Sequence, residues 1–147
     1  MQSIVKRTIL LSTTAAIAVT FTGCGESKVA QCNKIIKVAN QAVTLSQEFS
    51  KNSQRDTGSK TFTEIADKLG NLANEMKALE IKDEKLKGFQ GRFIKLYQDT
   101  SKGFRDTAAA FDKKNLKAAN TSLASLKKSG SDESAIVTEI NSYCSGK

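Results

Sequence analysis

Between residues 29 and 144 the apolar positions return every three or four residues, in runs separated by short polar stretches. This is the period of amphipathic helices, and no alternating strand pattern competes with it. Ile35, Val38, Ala42, Leu45 and Phe49 predict a helix over about 29–49, with Ile36, Ala39 and Val43 widening its apolar face. Residues 50–60 are polar and hold a glycine, which predicts the longest loop of the chain. The next helix has the cleanest signal, with Phe62, Ile65, Leu69, Leu72, Met76 and Leu79 in strict spacing. It opens with Thr61-Phe62-Thr63-Glu64, a capping-box pattern in which Thr61 and Glu64 satisfy free amides reciprocally.

A third helix is expected from an Asp83 cap to about Phe111, with two adjacent seams. One contains Leu86, Phe89, Phe93, Leu96, Thr100 and Thr107; the other contains Ile94, Tyr97, Phe104, Ala108 and Phe111. A helix with two seams touches two neighbours, so this one should be the most buried. Asp112 is the expected cap of a fourth helix that turns Leu116, Ala119, Leu123 and Leu126 inward. Ser129-Gly130-Ser131-Asp132 predicts a break, followed by a last helical piece presenting Ile136, Val137 and Ile140. The third helix would be about 42 Å long at ~1.5 Å per residue. The two fourth-helix pieces together match that length if the break is a kink. The expected fold is therefore all-α: an up-down-up-down four-helix bundle whose last helix is broken in two.

The segment ahead of the bundle has a different character. Lys6 and Arg7 precede an apolar run from Ile9 to Phe21, which is too short for a stable membrane span and has the layout of an export signal. It ends in Phe21-Thr22-Gly23-Cys24, which resembles the lipobox of bacterial lipoproteins, departing from the common pattern at Phe21. The resemblance implies cleavage before Cys24 and a diacylglyceryl group on its thiol. It divides the chain into a signal peptide (1–23), a tether (24–28) and a helical domain (29–147). It also implies export, with the domain lipid-anchored on the periplasmic or luminal side of a bacterial membrane. The stretches Gln31–Val43 and Glu139–Cys144, with Phe62–Leu69 between them, resemble small exported helical lipoproteins of cyanobacteria. That likeness implies no catalytic residue.

Export favours disulfides. With Cys24 taken by lipid, Cys32 and Cys144 remain, near the two ends of the mature domain. An intramolecular bridge is the expected state and fits the bundle topology, which returns the chain end to the start of the first helix. Two buried thiols, or an intermolecular bond through Cys32, are the alternatives.

Composition narrows the chemistry. The chain has no His, Trp or Pro. The commonest general base and metal ligand is thus missing, and with the cysteines assigned, no thiolate or imidazole cluster is left for catalysis, zinc or haem. No metal site, cofactor or enzymatic activity is expected. Formal charge is +8, falling to +6 without Lys6 and Arg7, most of the excess being lysine. Such a surface suits anionic headgroups or an acidic protein, and no nucleic-acid module is visible. On the third helix Arg92, Lys95, Asp99, Lys102 and Asp106 alternate in sign at helical spacing, with Arg105 beside them. Intrahelical salt pairs explain such a line. As a functional candidate it is a partner-contact ridge of Arg92, Asp99, Arg105 and Asp106, since arginine is enriched at interfaces. The expected role is a membrane-anchored interaction or accessory protein, contacting a membrane complex or headgroups. The alternative is a carrier for a small hydrophobic ligand or lipid, opening between the first and third helices around Phe89, Phe93 and Tyr97.

Overall fold

Four helices form where the periodicity places them: α1 (Lys28–Asn52), α2 (Ser59–Ala78), α3 (Glu84–Asp112) and α4 (Leu116–Ser145). The structure, a computed structural model, describes residues 26–52 and 58–146. Each helix reverses on its predecessor, and the short connections at 79–83 and 113–115 leave consecutive helices side by side. α3 packs along both α2 and α4, as its two seams require, whereas α1 lies more loosely against the other three. The lower end of the bundle holds the start of α1, the α2–α3 link and the end of α4. The upper end holds the α3–α4 turn.

The core is continuous. Ile35, Phe93 and Leu86 are fully buried, with Met76, Tyr97 and Ile140 packed among them. Toward the upper end Phe49, Phe62, Phe104 and Phe111 form an aromatic cluster, with ring centroids 5.2–6.0 Å apart in edge, tilted and stacked pairs. At the lower end polar side chains satisfy the backbone. The Asp83 side chain accepts the Leu86 amide at 2.9 Å and caps α3, as expected. Gln90 Nε2 donates to the carbonyls of Met76 and Leu79, closing the end of α2.

The Cys32–Cys144 disulfide is present, with Cα atoms 6.0 Å apart at a sequence separation of 112. It ties the first turns of α1 to the last turn of α4.

Three local expectations give way. The capping box does not form: α2 begins at Ser59 behind an N-cap at Gly58, and Thr61 lies inside the first turn, its amide donating to the Gly58 carbonyl. Asn115, not Asp112, caps α4, its side chain accepting the Ala118 amide at 3.0 Å. α3 uses Asp112 as its final residue, and the chain turns through Lys114, which sits at φ 53°.

The third correction is the larger one. α4 is continuous through Ser129-Gly130-Ser131-Asp132, and no break divides it. One glycine costs a helix only about 1 kcal/mol, and the serines and threonines here bond to their own helix. Thr121, Ser125, Ser129, Ser134 and Thr138 each donate a hydroxyl to the carbonyl four residues back. With 30 residues against the 29 of α3, a single helix already matches its partner. Leu116 and Leu123 do not face inward as expected; they are 68% and 36% exposed, and only Ala119 is buried in the first half of α4. Val43 likewise turns outward from α1.

Candidate functional site

Halfway up the bundle, above the tightly packed lower core, α1, α2, α3 and α4 leave a partly open cavity of about 120 Å³. Its walls are apolar: Leu45 and Phe49 from α1, Ile65 and Leu69 from α2, Leu96 and Phe104 from α3, Leu126 from α4. Two polar groups meet in it. Tyr97, fully buried on α3, donates its hydroxyl to Glu133 Oε1 on α4 at 3.2 Å. Among the described residues no other hydrogen bond and no ion pair reaches that carboxyl.

The electrostatics follow from burial. Glu133 is pushed above the ordinary carboxylate range by desolvation, against which the Tyr97 hydrogen bond works only in part. The Tyr97 phenol is driven strongly upward, first by burial and then by the neighbouring carboxylate, so it stays protonated and donating.

Glu133 was not among the residues singled out from sequence, because it falls just after the tetrapeptide read as a break. The signal was nevertheless there. Leu126, Glu133, Ile136 and Ile140 lie on one helical stripe once α4 is allowed to continue, which places Glu133 on the inward face. Of the aromatic trio expected to line an opening between the first and third helices, only Tyr97 borders the cavity; Phe89 and Phe93 are packed into the core.

The charged line on α3 is fully engaged. Arg92 makes a two-pronged pair with Glu139 of α4, at 2.6 and 2.8 Å, which holds the Glu139 carboxyl below its usual range and raises the guanidinium. Arg105 reaches Asp67 of α2 at 2.8 Å. Lys95 pairs with Asp99 and Lys102 with Asp106, each at 2.6 Å along the helix. The two arginines thus tie α3 to its two neighbours.

A second surface emerges that composition alone did not locate. From Lys113 to Ser131 there is no acidic residue, and Lys113, Lys114, Lys117, Lys127 and Lys128 are all exposed. Among the described residues none of the five is in an ion pair. Lys117, Asn120, Thr121, Ala124 and Lys128 line a shallow groove on the outer face of α4. Leu116 and Leu123 are exposed on the same half of α4.

Cys24 and the leader lie outside the described residues. Among those that are described, no helix is long and apolar enough to cross a membrane, and no three His, Cys, Asp or Glu side chains gather as metal ligands would. No family model matches this chain, and no curated protein and no solved structure matches it.

Proposed function

We propose that this chain is an exported, lipid-anchored helical bundle that acts by binding an acidic partner protein at its membrane, without catalysis. The observation that carries the reading is the uncovered basic half of α4. The fold pairs the α3 arginines internally, whereas among the described residues it leaves Lys113 and Lys114 of the turn and Lys117, Lys127 and Lys128 of α4 outside any ion pair, with Leu116 and Leu123 exposed beside them. Unpaired cations beside exposed apolar side chains suit a complementary acidic surface.

Position favours a protein over the bundle's own bilayer. The lipobox-like Cys24 precedes α1 in sequence by four positions, and α1 begins at the lower end. Leu116 lies at the upper end, roughly 42 Å from Cys144 along α4 at ~1.5 Å per residue. An upright bundle holds the lysines beyond the roughly 8 Å screening length of its own headgroups at physiological salt.

Mass spectrometry of the protein extracted from its own membrane tests the anchor: the expected chain begins at Cys24 and carries acyl groups. Photo-cross-linking from position 123 in that membrane tests the surface. One adduct of defined mass is expected, its yield falling several-fold in high salt and in the triple variant Lys117→Glu, Lys127→Glu, Lys128→Glu. An adduct indifferent to both changes sinks the reading. Binding of the same lysines to anionic vesicles, with no protein adduct, reassigns the surface to headgroups.

A carrier role draws on a separate observation, the cavity at Tyr97 and Glu133.

A further inference from the structure

We propose that the cavity bordered by Tyr97 and Glu133 is a binding site for a small primary amine, an apolar body of about five carbons carrying one ammonium group. The argument begins with the polarity of the walls. Among the described residues no lysine or arginine borders the cavity, and its one ionisable acid is Glu133. Of the other polar side chains around it, Ser46 is an exposed hydroxyl of α1, and the remaining three have their hydrogens directed elsewhere. Tyr97 donates to Glu133, Thr100 donates to the Leu96 carbonyl at 2.7 Å, and Ser129 donates to the Ser125 carbonyl. What these oxygens keep is lone pairs. The cavity is therefore a set of acceptors around a carboxylate, in an apolar enclosure.

An ammonium group supplies three donors and no acceptor, the complement of that set. A neutral alcohol supplies one donor, and a carboxylate supplies none and repels Glu133. The rings of Phe49, Tyr97 and Phe104 border the same space, and aromatic faces favour a cation over an anion. Size sets the rest: a cavity of about 150 Å³ accepts benzene, so the roughly 120 Å³ here takes a short branched or linear chain.

Glu133 itself supports a binding role. A carboxyl held among apolar side chains with one neutral hydrogen bond works against folding when ionised. An ammonium ligand relieves that penalty by providing the missing counter-charge. The inference is independent of the partner-binding role of α4, since none of the five lysines borders the cavity.

The experiment is calorimetric titration of the full chain in mild detergent with three molecules that share one apolar body: 3-methylbutylamine, 3-methylbutanol and 3-methylbutanoate. The amine is expected to bind at least tenfold more tightly than the alcohol, and the acid not detectably, the scale of one charge-assisted hydrogen bond. In Glu133→Gln the amine should lose that tenfold advantage while the alcohol is unaffected, and a thermal melt checks that the variant folds. Ala42→Leu, which fills the cavity from α1, should weaken amine and alcohol together, separating the cavity from ion pairing on the surface. Equal binding of all three molecules, an unchanged amine affinity in Glu133→Gln, or no binding of any of them overturns the proposal.

Discussion

The side-chain carbonyl oxygen of Gln31, one turn into α1, accepts the backbone amide of Lys82 at 2.7 Å. The same oxygen takes the Asp83 amide at 3.0 Å, while the Gln31 amide group donates to the Glu26 carbonyl. One buried side chain thus closes the α2–α3 link against α1, satisfying backbone groups that the link cannot satisfy itself. Gln31→Leu removes the acceptor and strands two amides in a part-buried link. It should lower unfolding free energy by about 2–3 kcal/mol in urea titrations. Gln31→Glu keeps an acceptor and should cost less.

The disulfide closes a loop of more than a hundred residues. On the chain-entropy account such a loop stabilises by about 4–5 kcal/mol. Reduction, or Cys32→Ala with Cys144→Ala, should shift the denaturation midpoint by a corresponding amount while leaving the helical circular dichroism of the folded state in place. An unchanged midpoint would mean that packing at the lower end holds α1 to α4 unaided.

Glu133 gives a pH dependence with a definite sign. Its carboxyl is raised in the fold above its ordinary value of 4.5 because burial disfavours the charge. The unfolded chain therefore releases this proton at lower pH than the folded chain does. Its contribution is fully present below about that ordinary value and is lost as pH rises through the folded one. Glu133→Gln should be more stable than the parent at neutral pH and should lack this decline. Asp83 and Glu139 act in the opposite sense. The Leu86 amide and then the Tyr143 hydroxyl lower the first, and Arg92 lowers the second, so both lose stabilisation on acidification. Urea titrations of parent and Glu133→Gln between about pH 2 and 8 separate the two limbs.

The α3 glycines divide by their surroundings. A methyl group at Gly88 or Gly91 meets nothing within 4 Å, whereas at Gly103 it lies 2.9 Å from Leu126 Cδ2 of α4. Gly88→Ala and Gly91→Ala should each stabilise by about 0.5–1 kcal/mol through helix propensity. Gly103→Ala should fall short of that gain, because Leu126 must move. Thermal melts of the three variants decide it.

The bundle was legible because its apolar spacing is regular. The stripe from Phe62 to Met76 is buried where the period placed it, as are the two seams of α3 apart from the partly buried Ile94, Thr100 and Phe111. What misled was local chemistry that tertiary structure or the helix itself outweighs. Ser129-Gly130-Ser131 reads as a turn in isolation, yet Ser129 donates to the Ser125 carbonyl and the Gly130 carbonyl accepts from Ser134, all within one helix. Thr61 and Glu64 satisfy a capping rule that the chain does not use, because the helix starts two residues earlier. Leu116 and Leu123 have the right spacing for a core but nothing opposite them. The candidate site was least visible, because it depends on Tyr97 and Glu133 meeting across 36 residues of sequence. That pairing follows from the register of α4 against α3, which no single-helix pattern contains.

The position of Cys32, barely one turn into α1, has a mechanical consequence. Tension arriving through the chain ahead of Lys28 passes into α4 through a covalent bond before it can act on the packing of α1. The load therefore bypasses the least firmly held helix of the bundle. Peeling of α1 from its first turn has no free edge to begin from. The far half of α1, around Leu45 and Phe49, depends instead on packing alone.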